Sequence, residues 1–365
     1  MPHPNRFLIL HGAAAGVQPL PPDEQDVLDE VKMIADALRH LGYDPVELAV
    51  TLDLRPLCAA IRELHPIGVF NLVETVEQQG RFAHLPIALL DALDVPYTGC
   101  SATAIYETTA KLLTKQRLAA AGISTPAWMA PPPATTCDQF QPGRWILKPS
   151  CEDASIGLDA EAVVEVQDAA GLGRALARRA ALVGHELFAE QFVEGREIGV
   201  SLLEGPEGVE ALPPSEILFV DFPADRPHIV DYRAKWENDS FEYIHTPRSL
   251  DFAAADAPLL AELSRLARHC WDLFGLRGYA RVDFRVDPAG RPWVLEVNAN
   301  PALAADSGFI ASVRHHGQDA PWAFRRIIEC ALPAAAPGSR RSGNQPPPMR
   351  LLSTQRGAAS DYSGR

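Results

Sequence analysis

The sequence has no apolar stretch that approaches the roughly 18 residues of a membrane-spanning helix, and it has no CxxC pair. Its six cysteines are scattered, so neither a zinc site nor a disulfide framework is indicated, and reduced, mostly structural thiols are expected. Basic residues are fewer than acidic ones, which gives a net charge of −14. So acidic a protein lacks the electrostatic footprint of a nucleic-acid binder. We therefore expect no nucleic-acid partner and no membrane partner.

Length and pattern predict several folded units. A chain of 365 residues is too long for one small core and suits two or three packed units. The first apolar run, 7–10, is too short for the apolar region of a signal peptide and predicts a first strand, so a cytoplasmic protein is expected. Strands then alternate with helices, and this alternation predicts a parallel sheet covered by helices.

We predict three folded segments and a tail. An N-terminal α/β domain covers 1–100, a central subdomain 101–190 and a C-terminal subdomain 191–333. Residues 334–365 have little apolar content and no periodicity, which predicts a disordered tail.

The strongest chemical signal lies in residues 281–301, which read as two strands of alternating polarity. Arg281 and Asp283 share a face of the first strand, and Glu296 and Asn298 share a face of the second. The turn DPAG joins the strands as a hairpin, and an even-numbered loop would place Asp283 and Glu296 on the same face. Two carboxylates and an amide oxygen are hard ligands that suit Mg²⁺ together with substrate phosphates. The alternative is a solvated strand face with paired charges.

Other candidate residues are weaker by themselves. Lys148 ends an apolar strand before a small polar loop that contains Ser155, and such a loop can wrap a phosphate with backbone N–H groups. Lys111 lies in a helix predicted over about 102–121, where ordinary surface charge is the alternative interpretation. Glu190 ends a strand, and the extended residues after it can offer backbone groups to an adenine edge. An exposed acidic turn is the alternative there.

Taken together and in order, several segments resemble the ATP-grasp superfamily and, within it, the D-alanine–D-alanine ligases. These segments are VFNLVE, VPYTG, KLLTKQRLAAAGISTP, WILKPSCEDASIG, FAEQFVEGREIGV, DYRAKW and GYARVDFRVD…WVLEVNANPAL. They span residues 69–303. The resemblance implies an α/β protein of ATP-grasp fold, with an N-terminal Rossmann-like parallel domain and two α+β ATP-grasp subdomains. It also implies an ATP-dependent carboxylate–amine ligase that forms an amide or peptide bond through an acyl phosphate.

The resemblance implies roles for the basic residues of these segments. Lys111 and Lys148 would contact the α- and β-phosphates of ATP, and the loop that contains Ser155 would close over them. Lys235 would reach the γ-phosphate from a mobile loop within the polar insertion 221–248. Arg281 would steady the acyl phosphate and the tetrahedral intermediate.

The remaining implied roles concern adenosine and metal. Glu190 would accept from the adenine amino group, Gln191 and Val193 would supply backbone contacts, and Glu197 would bind the ribose. Two Mg²⁺ ions, for which Mn²⁺ could substitute, would be held by Asp283, Glu296 and Asn298.

The segments that hold amino acids in these ligases depart from this sequence. HGAAAGVQPLPPDEQD stands where a glycine-serine-rich loop is usual, and NLVETVEQQGRF stands where a histidine-glycine-rich segment is usual. The resemblance therefore leaves the amino-acid or peptide substrates open, with D-alanine among them, and it allows a homodimer. The alternatives are another ATP-grasp ligase of dipeptides or metabolites, and a non-catalytic ATP-binding regulatory protein. ATP binding alone would not need Arg281, which speaks against the regulatory protein.

Overall fold

The structure is a computed structural model that describes residues 5–12, 20–130 and 140–332. The predicted disordered tail, 334–365, lies outside the described residues. Within these residues, no helix has both the length and the apolar character needed to cross a membrane.

The N-terminal segment folds as the predicted parallel sheet with helices. Its strands, in the order β2-β1-β3, are β1 (Arg6–Gly12), β2 (Asp44–Val50) and β3 (Gly68–Leu72). Its helices are α1 (Pro22–His40), α2 (Arg55–Leu64) and α3 (His84–Ala92). All of β3 is buried, although β1 is the central strand of this sheet, as expected for a parallel strand that is covered on both faces. The carboxyl ends of the parallel strands lie at one edge of the sheet, and Glu74 follows β3 at that edge.

The central segment begins with a broken helix. Helices α4 (Ala102–Thr109) and α5 (Lys111–Ala120) replace the single helix expected over 102–121, so that prediction is wrong. Ala110 has a ψ of 84° and interrupts the helix. The Lys111 N–H then donates to the carbonyl of Ser150, at 3.0 Å, outside the helix. The break places Lys111 at the start of α5, beside the loop that follows the next long strand.

An antiparallel sheet completes the central segment. Its strands, in the order β4-β7-β5-β6, are β4 (Trp128–Met129), β5 (Gly143–Pro149), β6 (Val163–Val166) and β7 (Leu187–Gln191). Helix α6 (Ala169–Val183) packs on this sheet, and Leu172 and Leu176 join Trp145 and Leu147 in a core of their own.

The C-terminal segment is built on a larger antiparallel sheet. Its strands are β8 (Arg196–Gly205), β9 (Gly208–Ala211), β10 (Ser215–Ile217), β11 (Arg248–Ser249), β12 (Tyr279–Val286) and β13 (Pro292–Asn298). They pair in the order β11-β10-β8-β12-β13, with β9 beside β8. Its helices are α7 (Tyr232–Trp236), α8 (Phe241–Ile244), α9 (Ala257–Phe274), α10 (Gly308–His315) and α11 (Ala320–Ala331). The hairpin register pairs Asp283 with Glu296, as the alternation predicts.

One apolar core joins the N-terminal and C-terminal segments. Leu8 and Leu10 of β1 belong to the same buried cluster as Ile198 of β8 and Val282 of β12. The central sheet keeps a separate core. Each predicted segment therefore has its own sheet, and the exact domain boundaries stay a prediction.

Candidate active site

A cavity of about 790 Å³ is lined by residues from all three segments. Every site residue predicted from the sequence lines it except Gln191. The members are Lys111, Lys148, Ser155, Glu190, Val193, Glu197, Lys235, Arg281, Asp283, Glu296 and Asn298. The folded chain thus brings together residues that are up to 187 positions apart, from Lys111 to Asn298 (298 − 111).

Lys111 links the central segment to the hairpin. Its ammonium donates to Asp153 Oδ1 at 2.6 Å and to Glu296 Oε2 at 3.1 Å. Burial would lower the pKa of Lys111, but the two carboxylates outweigh burial and raise it. Burial would likewise raise the pKa of Glu296, but Lys111, Lys235, Lys148 and Arg281 lower it well below its ordinary value. Both groups are therefore charged at neutral pH.

Glu190 is the centre of a buried ion cluster. The side chain is 2% exposed, and its Oε1 accepts from Lys148 Nζ at 2.7 Å. Its other oxygen pairs with Lys115, which is 1% exposed and also donates to Thr125 Oγ1 at 2.9 Å. Burial would raise the pKa of Glu190, but the two lysines lower it. Lys148 lines the cavity and Lys115 does not. Of the two lysines that bind Glu190, only Lys148 can therefore contact a ligand in the cavity.

The hairpin of β12 and β13 contributes Arg281, Asp283 and Asn298 to the cavity lining. The Arg281 guanidinium donates to both carboxylate oxygens of Asp283, each at 2.8 Å. The Asn298 amide donates to Asp283 Oδ2 at 2.9 Å and to Glu296 Oε1 at 3.4 Å. A Cβ at Gly199 of β8 would lie 3.1 Å from Asp283 Oδ1, so glycine leaves the space that this carboxylate occupies.

The donor set of the hairpin fits a divalent cation that also binds phosphate. The Asn298 amide nitrogen donates to both carboxylates, so oxygens of Asp283 and Glu296 lie close to the amide group whose oxygen could join them as a ligand. No cluster of three or more His, Cys, Asp or Glu residues suited to a metal occurs in the described ranges. A metal here would therefore depend on two carboxylates, the amide and oxygens supplied by a ligand, which is how Mg²⁺ is usually held.

The linker from β7 into β8 carries the residues predicted to meet adenosine. Val193 lines the cavity, and Glu197 lies there in an ion pair with Arg285 at 2.8 Å. Gln191 faces a smaller cavity instead, and its N–H donates to the Ala127 carbonyl at 2.8 Å. That N–H is used within the fold, because the sheet extends through Gln191.

The segment 221–248 contacts both other segments. The Ser155 hydroxyl donates to the Val230 carbonyl at 2.7 Å, and the Trp236 indole donates to the Ala154 carbonyl at 3.0 Å. The Tyr232 hydroxyl donates to Asp23 of α1 at 3.0 Å. Lys235 lies between these contacts and lines the cavity, and it has no hydrogen bond or ion pair with any described residue. Its ammonium is therefore available to an anionic ligand.

Sequence reasoning gave no role to a group of acids that line the same cavity. This acidic cluster consists of Asp26, Glu74 and Asp306. Burial and neighbouring carboxylates raise the pKa of Asp26 to about 6 and that of Glu74 to about 7. Glu74 stands in the quoted segment VFNLVE, directly after the strand predicted over 67–72. Its position at the carboxyl end of a parallel strand, where ligands commonly bind, was the signal that could have found it.

Comparisons with known proteins agree with the geometry. The family model described as the D-ala D-ala ligase C-terminus matches residues 144–329. The D-alanine–D-alanine ligase of Gloeobacter violaceus is 33% identical over 85% of this chain and 96% of its own. That of Aquifex aeolicus is 30% identical over 82% of this chain and 92% of its own.

Solved structures show the same fold. The Bacillus anthracis D-alanine–D-alanine ligase complexed with ATP superposes with a TM-score of 0.67 at 19% identity, over 90% of this chain and 97% of that one. The Coxiella burnetii enzyme gives a TM-score of 0.63 at 18% identity. The predicted ATP-grasp fold is therefore confirmed. By its sequence matches and by its fold, the chain belongs to the D-alanine–D-alanine ligase family, whose members are ATP- and divalent-metal-dependent ligases of small molecules.

Proposed function

We propose that this ligase joins a carboxylate to an amine through an acyl phosphate, with amino acids or small peptides as its substrates. The observation that supports this most is the convergence of Lys111, Lys148, Lys235 and Arg281 on one cavity beside the Asp283–Glu296 pair. A carboxylate is a poor electrophile at neutral pH, so it needs a leaving group. Phosphorylation by ATP supplies one, and the cations offset the charge that moves with the phosphoryl group.

The lysines and Arg281 divide this task. Lys111 and Lys148 bind the α- and β-phosphates of ATP, exchanging their present carboxylate partners for phosphate oxygens. Lys235, which is free of an ion pair with any described residue, binds the γ-phosphate. Arg281, held flat against Asp283 by two bonds, steadies the acyl phosphate and the tetrahedral intermediate. The loop with Ser155 closes over the phosphates.

Adenosine lies along the linker from β7 to β8, between the central and C-terminal segments. Val193 contributes backbone groups and Glu197 binds the ribose hydroxyls. Glu190 accepts from the adenine amino group while its lysines hold it ionised. Gln191 can contribute only through its carbonyl, because its N–H is bonded to Ala127.

Asp283, Glu296 and Asn298 are the residues that would hold Mg²⁺, as two ions or with Mn²⁺ in place of either. The metal supplies charge neutralisation at the phosphates and orients them for attack. Arg281 and Lys111 keep both carboxylates ionised and oriented.

D-alanine is the first substrate to test, because the Aquifex aeolicus and Gloeobacter violaceus relatives carry D-alanine–D-alanine ligase as their name. A cytoplasmic location, where ATP and Mg²⁺ are abundant, and a homodimer complete the proposal. Light scattering of the purified protein measures the second of these directly.

A phosphate-release screen tests the proposed function. The protein is incubated with ATP, Mg²⁺ and pairs drawn from D- and L-amino acids, and products are identified by mass spectrometry. We expect phosphate release only when amino acids are present, together with a product whose mass is that of the pair less one water. The matched control is Arg281→Lys, which keeps the charge but loses the two-pronged contact. ATP binding without phosphate release for any pair would instead support a regulatory protein.

A further inference from the structure

Glu74 is a carboxylate inside the cavity for which neither the nucleotide nor the metal accounts. It follows β3 at the edge of the parallel sheet where the strands end. Neighbouring contacts fix its backbone: the Asn300 amide donates to the Val73 carbonyl at 3.3 Å. The Thr75 carbonyl would lie 2.7 Å from a Cβ at Gly12. The backbone around Glu74 is therefore packed against both β1 and the residues that follow β13.

The Glu74 carboxylate has no hydrogen bond and no ion pair within the described part of the chain. The other carboxylates near the reacting groups are engaged, because Asp153 pairs with Lys111 and Asp283 with Arg281. Glu74 is half-buried, and a carboxylate that is partly shielded and has no partner loses some of the favourable contacts that water would give it. Such a group is suited to take up a proton.

We propose that Glu74 is the general base that removes a proton from the amine substrate, an inference that rests on the ligase function proposed above. An amine reaches the site at neutral pH as an ammonium ion, which has no lone pair for attack. Glu74 accepts one proton, and the freed lone pair forms the C–N bond to the carbonyl carbon of the acyl phosphate. The C–O bond to phosphate then breaks, and the departing phosphate takes the second proton from nitrogen. Glu74 returns its proton to water when the product leaves.

Glu74 lines the same cavity as Lys235 and Arg281, the groups assigned to the reacting phosphates. The titratable groups that interact electrostatically with it are Asp26 and Glu30 of α1, Asp153 after β5, Lys235 of α7, and Tyr279 and Arg281 of β12. Burial and the carboxylates Asp153 and Asp26 raise the pKa of Glu74 to about 7, while Lys235 and Arg281 oppose the rise. A base with a pKa near the working pH transfers protons most effectively.

Asp26 is the competing candidate, and its neighbours distinguish it. The pKa of Asp26 is raised by burial and then by the carboxylates Asp306, Asp29 and Asp23. Glu74 by contrast feels Lys235 and Arg281, the two cations assigned to the γ-phosphate and the acyl phosphate. Of the two acids, Glu74 is therefore the one that shares its surroundings with the cations assigned to the reacting groups.

Hydroxylamine separates the base from every earlier step. It is unprotonated at neutral pH, so it attacks an acyl phosphate without a base and gives a hydroxamate that can be measured by colour. The test uses the amino acid that gives the most phosphate release in the screen above as the carboxylate. The nucleophile is either the amine of the paired amino acid or hydroxylamine. Variants are Glu74→Gln, Glu74→Asp and the control Glu77→Gln, which alters an exposed acid of the same loop that lies outside the cavity.

We expect Glu74→Gln to lower amide formation by at least about a hundredfold, the usual contribution of a general base, and to leave hydroxamate formation unchanged. Glu74→Asp keeps a carboxylate and recovers part of the rate, and Glu77→Gln behaves as wild type. Amide formation by the wild type rises with pH through a step near neutrality, because Glu74 must be ionised to accept a proton. The step is absent from Glu74→Gln, and from hydroxamate assays in which the concentration of unprotonated hydroxylamine is held constant across the pH range.

Two results would overturn the proposal. Equal loss of amide and hydroxamate in Glu74→Gln would show that Glu74 serves carboxylate binding, phosphorylation or folding instead. Unchanged amide formation would show that another group takes the proton. A wild type that forms no hydroxamate with any amino acid contradicts the ligase proposal itself, which distinguishes the two failures.

Discussion

Two groups of charges line the same cavity and are organised in opposite ways. In the paired cluster, Lys111, Lys148 and Arg281 each hold a carboxylate at 2.6–2.8 Å, so nearly every charge is matched. In the acidic cluster of Asp26, Glu74 and Asp306, no ion pair is formed with any described residue, and the pKa values of Asp26 and Glu74 are raised. The paired cluster is preorganised to exchange carboxylates for phosphates and metal. The acidic cluster is suited to exchange protons and to attract an ammonium ion.

The largest effect should come from the paired cluster at Glu296. Glu296→Gln keeps the shape of the side chain and removes a charge from a site that faces triphosphate and Mg²⁺. Ligase activity should fall by at least about a hundredfold, which is the usual cost of removing a group that stabilises charge in the transition state. The measurement is the rate as a function of Mg²⁺ concentration, with Glu262→Gln on the exposed face of α9 as control. Near-normal turnover in Glu296→Gln would remove Glu296 from the metal site.

The same substitution also changes the free energy of unfolding, and the lowered pKa of Glu296 determines whether the protein gains or loses stability. A carboxylate with a lowered pKa in the folded state stabilises the protein above its unfolded pKa, and the contribution is lost as pH falls through the folded pKa. Glu296→Gln should therefore lower the melting temperature at neutral pH, with a smaller difference in acid. Activity is compared well below both melting temperatures, so that loss of fold does not imitate loss of metal.

The next effect concerns Lys235, the cavity lysine without a partner among the described residues. Lys235→Ala should lower kcat by about tenfold or more, with a smaller rise in KM for the amino acid, because the contact matters most as charge moves. Arg233→Ala on the exposed side of the same helix is the matched control. Limited proteolysis should also cut residues 221–248 in the free protein and be suppressed by ATP, Mg²⁺ and substrate. Unchanged kcat together with ligand-independent cleavage would contradict a closing lid.

A smaller effect separates the two lysines on Glu190. Lys148→Ala should weaken ATP binding by about tenfold, the effect of one lost charged hydrogen bond, with a modest change in melting temperature. Lys115→Ala should destabilise the free protein by about 3 kcal/mol, because it breaks a fully buried ion pair, and should alter ATP affinity less. Calorimetric titration and thermal unfolding of both variants measure the two effects. The reverse pattern would make Lys148 the structural lysine.

The smallest effect belongs to Asp26, the member of the acidic cluster for which no catalytic role is proposed. The raised pKa of Asp26 means that its ionised form is disfavoured by folding, so stability falls as pH rises from the unfolded pKa, 3.8, to about 6. Asp26→Asn should therefore gain about 1 kcal/mol of unfolding free energy over wild type at pH above about 7, after allowance for partial exposure. The gain should shrink toward zero below about pH 3, where wild-type Asp26 is protonated in both states. Urea unfolding across this range measures it, and a gain that does not vary with pH would point to packing instead of charge.

The sequence predicted the elements that follow periodicity. Alternation in the hairpin gave the shared face of Asp283 and Glu296, and the strand-helix alternation gave the parallel sheet. Local pattern could not give the break at Ala110, because the chain at 102–121 has ordinary helical spacing and the competing hydrogen bond comes from Ser150. The short helices α7 and α8 within 221–248 were missed for a similar reason, since contacts with other segments hold them.

Within the site, the sequence predicted which residues line the cavity, but it did not predict which side chains and backbone groups bond to one another. Lys115 has the sequence context of a surface lysine, yet it is buried on Glu190, because only the fold brings β7 beside α5. Gln191 was assigned to adenine from its place in the motif, although the Ala127 carbonyl takes its N–H. Glu74 received no role, because a single acid after a strand is common, and the cavity residues that surround Glu74 come from distant parts of the chain.

The interruption at Ala110 has a further consequence for how this protein can be observed in solution. The Lys111 amide hydrogen is bonded to Ser150 at the start of the loop predicted to cover phosphate, and not to a helical carbonyl. Its rate of exchange with deuterated water therefore reports one event, the lifting of that loop from α5. Neighbouring amides of α5 exchange with the opening of the helix. Exchange at this single amide thus measures the opening of the site without any attached probe.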